Sequence, residues 1–463
     1  MDNTHYTPEE PIAAIATALA PAALGIVRTS GVGCIELISK LFSRPKALLE
    51  AQGNSIVYGW ICEDDKKIDE VLISVYRGPK SYTGEDMCDI SCHGGVSIVN
   101  AIFNLLIKNG FRTAEKGEFT FRSFINGKSD LTKAEAVKEI IDSKTDFSRS
   151  RATLRLSGSL YKEIASIKEL LINTLAAIEV DIEYPEDEET ISDSYDPQDL
   201  ISACKKLEEL SLSWKSEKIY QDGAKIVLAG KTNAGKSSLF NVLLKEDRSI
   251  VSDIEGTTRD WIESWINFDG VPVRVFDTAG LRETEDIIEA KGVELTKDLI
   301  SDADLILYII DSSKSITEDD FKFLKDYVNH PHIVVLNKCD KDSTNQEKLK
   351  TELKNYTENL VCISAKTGFG IGELSTFVKK AIIGNSEVKS LSIGLGSERQ
   401  KKSVEEAFER VTHALKISED LSYGLDAVVQ DLEDALDSLG EITGEVTPDD
   451  ILGSIFSNFC VGK

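Results

Sequence analysis

The run GKTNAGKS at residues 230–237 constrains this chain more than any other feature. It matches the pattern GxxxxGK[ST], and it stands between a β-rich apolar run, AKIVLA, and a helix-forming run, SSLFNVLL. A strand, a glycine-rich loop and a helix in this order cradle phosphate groups with backbone N–H groups at the helix N-terminus. We expect Lys236 to contact the β- and γ-phosphates of a nucleotide and Ser237 to coordinate Mg²⁺.

Short motifs at the ends of predicted strands indicate the nucleotide. Asp340, in NKCD, can accept two hydrogen bonds from guanine N1–H and N2–H₂, which adenine cannot supply. Thr258 offers Mg²⁺ a second hydroxyl, Asp277 can hold Mg²⁺ through water, and the Gly280 amide can contact the γ-phosphate. Together these motifs predict GTP. The residues predicted to bind it are Asn233, Ala234, Gly235, Lys236, Ser237, Ser238, Ser252, Asp253, Ile254, Glu255, Gly256, Thr257, Thr258, Asp277, Thr278, Ala279, Gly280, Asn337, Lys338, Asp340, Ser364, Ala365 and Lys366.

One expected catalytic group is missing. Ras-like GTPases place a glutamine that orients water directly after the DxxG motif, whereas this chain has Leu281 there. Asn233, inside the phosphate loop, could ligate a monovalent cation near the β- and γ-phosphates and so neutralise charge in the transition state. It could equally be a residue that only shapes the loop, and chemistry alone leaves both interpretations open.

The apolar pattern predicts a multidomain α+β protein. Short strand-like runs and one helix come first, then helical periodicity, then alternating strands and helices typical of a parallel doubly wound sheet, then helices again. A hairpin closed by Asp269-Gly270 predicts one antiparallel edge. We favour an α/β domain inserted into a helical domain, although two separate helical domains fit as well. The predicted domains are 1–130 (α+β), 131–222 (helical, first part), 223–385 (Ras-like α/β P-loop GTPase domain) and 386–463 (helical, second part).

Composition narrows the function classes. The 53 Lys and Arg against 79 Asp and Glu give a net charge of −26, which argues against a protein that coats nucleic acid non-specifically. Eight scattered cysteines without CxxC spacing fit a reducing cytosol, so we expect a cytoplasmic protein without zinc. The apolar stretch 11–27 contains Pro11 and Pro21 and follows acidic residues, so we expect neither a membrane anchor nor a signal peptide.

Beyond these motifs, three stretches carry a resemblance to a known family. They are PKSYTGEDMCDISCHGG (79–95), KGEFTFRSFINGKSDLTKAEAV (116–137) and the terminal FCVGK (459–463). With the GTPase motifs, they resemble the MnmE (TrmE) family of tRNA-modification GTPases over essentially the whole chain. The resemblance implies an N-terminal folate-binding domain that forms a homodimer, a helical domain and an inserted G domain.

The resemblance also implies a reaction and partners. Members of the family act with an FAD-dependent partner of the MnmG family, as a heterotetramer, on tRNA. They install an aminomethyl or carboxymethylaminomethyl group at C5 of the wobble uridine. The carbon comes from 5,10-methylenetetrahydrofolate, with 5-formyltetrahydrofolate as an alternative ligand, and glycine or ammonium supplies nitrogen. GTP hydrolysis is stimulated when G domains pair in the presence of K⁺.

Carried over position by position, the resemblance favours the K⁺ interpretation of Asn233. Ser252, Ile254 and Thr257 fall on the loop that completes the K⁺ site, although the family usually has Thr in place of Ser252. Glu289 matches the glutamate that orients the attacking water. The implied catalytic residues are therefore Glu289, Asn233 and Lys236, while Arg282 receives no role.

For folate, the resemblance implies a pocket made by Arg28, Glu85, Lys128 and the terminal Lys463. Cations suit a glutamate tail, and a carboxylate suits the N–H edge of a pterin. Without the resemblance, Arg28 and Lys128 would be interpreted as ordinary surface charges. Cys460 is interpreted either as a nucleophile or as a buried structural thiol. The loop TALAPAALG (17–25) departs from the family's PPGRGG, which puts the shape of this loop in question.

Two other function classes compete with this interpretation. A ribosome-assembly or RNA-chaperone GTPase would carry a basic RNA-binding domain after the G domain, but residues 386–463 hold 7 Lys and Arg against 16 Asp and Glu. A folate-binding module without chemistry would not need GTPase motifs. Arg149, Arg151 and Arg155 form a basic helical patch that could bind tRNA, but we interpret it as a solvated face.

Overall fold

A computed structural model describes residues 10–64, 66–183, 197–245, 262–277, 299–341, 343–354, 356–384, 393–418 and 425–463. The chain forms two compact units. The first unit comprises Met1–Lys138, Arg155–Leu207 and Lys402–Lys463, and the second comprises Glu139–Leu154 and Glu208–Lys401. The boundaries of the four domains expected from sequence stay predictions. Among the described helices, none is both long enough and apolar enough to cross a bilayer.

The first unit is built on a six-stranded sheet in the order β3-β4-β5-β2-β1-β6. Its pairs are antiparallel except β1 with β6. Four of these strands and one helix, α3, were expected from the apolar runs. The elements are β1 (Ile12–Ile15), β2 (Leu24–Ser30), α1 (Cys34–Ser39), α2 (Pro45–Leu49), β3 (Ser55–Glu63), β4 (Lys66–Tyr76), β5 (Met87–His93), α3 (Val96–Lys108), β6 (Arg112–Thr113) and α4 (Glu118–Ile125).

The apolar stretch at the start of the chain becomes a strand in this sheet. Ile12, Ala13 and Ala14 of β1 are completely buried, and they pair with β2 along their length. Burial on both faces of the sheet therefore explains the apolar residues of β1, as is usual for an inner strand. Residues 18–24 of the same apolar stretch are exposed, and Leu19 is 53% exposed.

Four helices follow, as the 3.6-residue periodicity predicts. The long α7 packs against a helix near the end of the chain, α14, whose bounds are given below. These elements are α5 (Leu131–Asp142), α6 (Asp146–Leu156), α7 (Ser159–Glu183) and α8 (Pro197–Asp222).

The second unit contains a six-stranded sheet in the order β12-β11-β10-β7-β9-β8. Five strands run parallel, and β8 joins the edge antiparallel to β9. Asp269 (φ 51°) and Gly270 (φ 92°) close the β8–β9 hairpin with positive φ angles, so the predicted antiparallel edge is confirmed. The elements are β7 (Ala224–Gly230), α9 (Lys236–Lys245), β8 (Ile262–Phe268), β9 (Val271–Asp277), β10 (Leu305–Asp311), α10 (Glu318–Asp326), β11 (His332–Asn337), α11 (Ser343–Leu353), β12 (Leu360–Cys362) and α12 (Ile371–Ile383).

Three helices close the chain: α13 (Glu398–Ser418), α14 (Leu425–Thr443) and α15 (Asp449–Ser457). The first two were expected from their amphipathic pattern. In α15, Phe456 is buried against Phe121 of α4, with the ring centroids 5.3 Å apart. The end of the chain therefore packs against α4 within the first unit.

The basic helical patch was interpreted wrongly as a solvated face. Of the three arginines on α6 that were expected to face solvent, only Arg149 is exposed. Arg151 and Arg155 are buried. Arg151 forms an ion pair with the buried Glu217, and its guanidinium lies over the ring of Phe147. A buried arginine persists when a carboxylate and aromatic faces replace its water, and sequence spacing gave no sign of these distant partners.

Candidate nucleotide-binding site

The phosphate loop follows β7 and leads directly into α9. Gly230 has φ 137°, and a Cβ there would lie 2.3 Å from the Ile309 carbonyl oxygen. Gly235 has φ 102°, and a Cβ there would lie 2.1 Å from Asn337 Nδ2. Both positions therefore require glycine, because the loop passes closer to β10 and to the end of β11 than any side chain would allow.

Lys236 and Ser237 form the first turn of α9. The buried Lys236 donates through Nζ to the carbonyl oxygens of Gly230 (2.9 Å) and Lys231 (3.0 Å). Ser237 Oγ donates to Asp277 Oδ2 at 2.8 Å, and Asp277 is buried at the end of β9. A cation and a helix N-terminus suit phosphate, and a hydroxyl beside a carboxylate suits Mg²⁺, which prefers oxygen ligands.

Asn337 ties the phosphate loop to the base-recognition loops. Its Nδ2 donates to the Ala234 carbonyl oxygen at 3.0 Å, and its Oδ1 accepts the Ala365 backbone N–H at 3.0 Å. Asp340 Oδ1 accepts a hydrogen bond from Ser364 Oγ at 2.7 Å, and this bond lowers the pKa of Asp340. Asp340 is therefore an ionised acceptor, as guanine recognition requires. The structure thus brings together the predicted residues of NKCD and of Ser364-Ala365-Lys366, with Lys366 exposed beside them.

Asp311 belongs to this site although sequence reasoning missed it. Lys338 Nζ binds Asp311 Oδ2 and the Asn233 carbonyl oxygen, each at 2.7 Å. Burial opposes ionisation of Asp311, but hydrogen bonds from Lys338 and Ser313 outweigh it and lower its pKa. Its position at the carboxyl end of a buried parallel strand was the available signal.

A cavity of about 1100 Å³ lies over the phosphate loop, lined by residues that include Thr232, Lys314 and Lys338. Asn233 and Ser238 are exposed there, and Asn233 holds a positive φ of 64°. The remaining predicted residues for GTP, Mg²⁺, K⁺ and catalysis lie outside the described residues. They are Ser252, Asp253, Ile254, Glu255, Gly256, Thr257, Thr258, Thr278, Ala279, Gly280 and Glu289, as are Leu281 and Arg282.

In the first unit, the structure places Arg28 beside the end of the chain. Its guanidinium forms two hydrogen bonds to the Asp89 carboxylate, at 2.9 and 3.1 Å, and donates to the Gly462 carbonyl oxygen at 3.3 Å. Burial, and then the nearby charge of Arg28, lower the pKa of Lys463. Two cationic groups therefore lie close together, and the Asp89 carboxylate pairs with one of them.

Glu85 lies in the same neighbourhood and is bound on two sides. Ser30 Oγ donates to Glu85 Oε2 at 2.7 Å, and Arg122 Nη1 donates to the same oxygen at 2.9 Å. Arg122 also pairs with Glu118, which is completely buried. Sequence reasoning missed Arg122 and Asp89; the spacing of Glu118 and Arg122, one helical turn apart, was the only local signal.

The other predicted residues of this cluster differ in exposure. Lys128 is exposed, and its Cγ would lie 3.3 Å from a Cβ placed at Gly84, so it borders the loop that carries Glu85. Cys460 is exposed, so its interpretation as a buried structural thiol was wrong. Val461 of the terminal segment forms a β-bridge with Lys116, and the neighbouring Cys460 lies at the surface.

The altered loop at 17–25 has a defined conformation. Thr17 Oγ1 accepts the Ile26 N–H at 3.1 Å, and Ala22 N donates to the Gly94 carbonyl oxygen at 3.1 Å. Gly94 approaches so closely that a Cβ would lie 2.4 Å from the Ala22 carbonyl oxygen. The loop is therefore held against the end of β5 without the family's usual glycines and arginine.

The doubly wound sheet, the glycine-dependent phosphate loop and the ionised Asp340 define a P-loop GTPase. Comparison with family models adds the rest of the chain. Residues 11–128 match the model described as GTP-binding protein TrmE N-terminus, and residues 131–460 match the MnmE helical domain.

Similar proteins extend along the full length. The chain is 53% identical to the tRNA modification GTPase MnmE of Treponema denticola over 99% of both chains. It is 43% identical to the MnmE of Borrelia turicatae over 98% of both. It is 42% identical to that of Aquifex aeolicus over 98% of this chain and all of the relative. The chain belongs to the MnmE family and is a GTP hydrolase of tRNA modification.

Proposed function

We propose that this GTPase is activated by K⁺ and acts with an FAD-dependent MnmG-type partner. The pair installs an aminomethyl or carboxymethylaminomethyl group at C5 of the tRNA wobble uridine, using the carbon of a methylenetetrahydrofolate. The observation that carries the proposal is the presence, in one chain, of a phosphate loop with a guanine acceptor at Asp340 and of a cationic cluster made by Arg28 and Lys463. We further propose a cytoplasmic homodimer that forms a heterotetramer with the partner.

The proposed K⁺ site is formed by Asn233 with Ser252, Ile254 and Thr257. Its support among the described residues is Asn233, which is exposed beside the phosphate loop while Lys338 holds its carbonyl oxygen at 2.7 Å. An amide oxygen suits a large monovalent cation, and a cation near the β- and γ-phosphates lowers the barrier to phosphoryl transfer. Glu289 would then orient the water that Leu281 cannot.

The ion requirement can be measured directly. We expect GTP hydrolysis to be fast in K⁺ and slow in Na⁺, and the difference to vanish in Asn233→Ala. Glu289→Ala should lose turnover in K⁺ while it keeps its affinity for GTP. Equal rates in the two salts for the unaltered protein would refute the K⁺ proposal, and a loss of GTP affinity alone would refute the role of Glu289.

For catalysis, Lys236 would contact the β- and γ-phosphates, and Ser237 and Thr258 would hold Mg²⁺. The described donors fit these ligands, because Ser237 Oγ lies 2.8 Å from Asp277 Oδ2 and Lys236 starts α9. Bound Mg²⁺ neutralises charge that develops on the phosphate oxygens. The chain's own contribution is to position the nucleotide, with Asp340 selecting guanine.

For folate, Arg28, Lys128 and Lys463 would hold the anionic tail and Glu85 the pterin edge. The donor set fits, since two cationic groups and a fixed carboxylate lie in one region of the first unit. Bound methylenetetrahydrofolate supplies a one-carbon unit. Calorimetry should show that Arg28→Ala weakens 5-formyltetrahydrofolate binding, whereas Lys46→Ala, at an exposed position on α2, leaves it unchanged. Equal binding by both variants would refute this assignment.

A ribosome-assembly or RNA-chaperone role is the alternative, and the acidic helices of residues 386–463 disfavour it. Mass spectrometry of tRNA nucleosides separates the two. Cells lacking this protein should lose the C5-substituted wobble uridine and regain it with the intact gene. Unchanged nucleosides together with accumulated ribosome precursors would establish the alternative instead.

A further inference from the structure

Lys231 is the first variable residue of the phosphate loop, and its side chain contacts residues outside that loop. Its ammonium group pairs with Asp320 at 3.3 Å and is hydrogen-bonded to Thr317 Oγ1. Asp319 lies farther away, at 3.7 Å, and is 88% exposed. None of these contacts was expected from the GTPase motifs, because the partners lie almost ninety positions further along the chain.

The Asp320 carboxylate is a hydrogen-bond acceptor that the surrounding fold holds in place. It is only 5% exposed, and it accepts hydrogen bonds from the Tyr308 hydroxyl (2.8 Å), the Thr317 backbone N–H (3.0 Å) and the Thr317 hydroxyl (2.8 Å). The bond from the Thr317 backbone N–H is one half of a capping box at the start of α10. The carboxylate is therefore fixed by β10 and α10 whether or not Lys231 binds it.

The backbone of Lys231 in turn restrains the lysine that meets the phosphates. Its carbonyl oxygen accepts a hydrogen bond from Lys236 Nζ at 3.0 Å. On the other side of the loop, Lys338 bridges the Asn233 carbonyl oxygen and Asp311. Two lysine–aspartate pairs thus hold the loop on its two sides. Lys231 belongs to the loop and pairs with Asp320 outside it, whereas Lys338 lies outside the loop and binds the Asn233 carbonyl oxygen within it.

We propose that Lys231 and Asp320 are positioning residues for the nucleotide, which fix the N-terminal limb of the phosphate loop before GTP binds. A loop that is ordered in advance loses less conformational entropy when the phosphates arrive. Once bound, the phosphates themselves hold Lys236, so the pair contributes to affinity and not to the chemical step. This role does not depend on K⁺ or on folate.

The test measures affinity and turnover separately in the full chain. For Asp320→Asn and Lys231→Met, we expect dissociation constants for methylanthraniloyl-GDP to rise about tenfold, the effect of losing one charged hydrogen bond. The kcat at saturating GTP should stay within about twofold. Lys231→Arg should restore the affinity, and the double variant should be no weaker than either single one. Asp319→Asn is the matched control and should bind normally.

Three results would overturn the proposal. If Asp320→Asn lowers the melting temperature but leaves affinity unchanged, the carboxylate only caps α10. If Lys231→Met loses affinity while Asp320→Asn does not, Lys231 contacts the nucleotide directly. If kcat falls while affinity is unchanged, the pair acts in the chemical step. Because Lys231 is partly exposed, its variants test the idea even if Asp320→Asn fails to fold.

Discussion

The phosphate loop differs in construction from the Arg28 cluster, which comprises Arg28, Glu85, Asp89, Glu118, Arg122 and Lys463. The loop is formed by consecutive residues whose backbone does the binding, and its glycines leave no room for side chains against Ile309 and Asn337. The cluster is formed by side chains far apart in sequence, since Arg28 contacts Gly462, 434 positions away. A backbone site depends on local conformation, whereas a side-chain site depends on the whole tertiary structure of its unit.

The two regions also differ in how their charges are satisfied. In the cluster, Arg122 is 3% exposed and pairs with Glu118, which is 0% exposed, and with Glu85, while Arg112 also binds Glu118. In the loop, Lys236 Nζ donates to the carbonyl oxygens of Gly230 and Lys231, which belong to the loop itself, so these contacts order the segment that meets phosphate. Changes in the first region should therefore appear mainly in stability, and changes in the second mainly in nucleotide binding.

The largest effect is expected from Arg122→Ala. It would remove the cation that Glu118 and Glu85 share and leave Glu118 paired with Arg112. Removing one member of a buried ion pair costs about 3–5 kcal/mol of unfolding free energy. Hydrogen–deuterium exchange should show lost protection in the first unit. Protection around the phosphate loop should be unchanged.

Lys108→Ala is the control for this experiment, because Lys108 and Glu63 form an exposed ion pair. We expect less than about 0.5 kcal/mol for it. Equal losses for Arg122→Ala and Lys108→Ala would show that the Arg122 network is not what stabilises this region.

The next effect is expected from Gly235→Ala. An alanine backbone is strained at φ 102°, and its Cβ would displace Asn337 Nδ2 from the Ala234 carbonyl oxygen. The strain and the lost hydrogen bond together cost about 2–3 kcal/mol, and GTP binding should be lost. Gly372→Ala is the matched control, since nothing lies within 4 Å of a Cβ there. It should bind GTP normally in fluorescence titrations; weak binding by both variants would contradict the backbone argument.

Features that depend on local sequence could be predicted, whereas contacts between side chains distant in sequence could not. The strands of the second sheet and the Asp269-Gly270 hairpin were predictable, because they depend on the local apolar pattern and on turn residues. The positions of Asn337 and Asp340 after a parallel strand were predictable too, but their contacts with Ala234 and Ser364 were not. The fold class needed only this periodicity. Sequence alone could not show that Arg151 pairs with Glu217, or that Cys460 lies outside the core.

The start of the chain illustrates the limit in physical terms. The apolar run at 11–27 has no alternation, and periodicity alone does not distinguish a strand buried on both faces from other buried segments. Within it, β1 covers only Ile12–Ile15, and this strand is decided by pairing with β2 and with β6, which lies a hundred positions away. Arg122 and Asp311 escaped notice for the same reason, since their partners come from other elements.

A smaller effect is expected from Asp340→Asn. The carboxylate loses its charge and one of its two acceptors for guanine, and a charged hydrogen bond is worth about 1.5–3 kcal/mol. Affinity for GTP should fall by about 10- to 100-fold, while the Ser364 hydroxyl can still donate to the amide oxygen. Competition between GTP and ATP for labelled GDP measures the change. An unaltered preference for GTP would refute the assignment of Asp340.

The smallest effect is expected from Arg149→Ala, two residues from Arg151 on α6. Arg149 is 54% exposed and pairs with Asp146, which is 95% exposed, so water replaces the lost contact and unfolding free energy should change by less than about 0.5 kcal/mol. Arg151→Ala should cost about 3–5 kcal/mol, because it removes one member of the buried ion pair with Glu217. Urea unfolding of both variants measures the difference. If the two costs are similar, burial does not separate these arginines, and the contrast between exposed charges and buried pairs drawn for the first unit would not extend to the second.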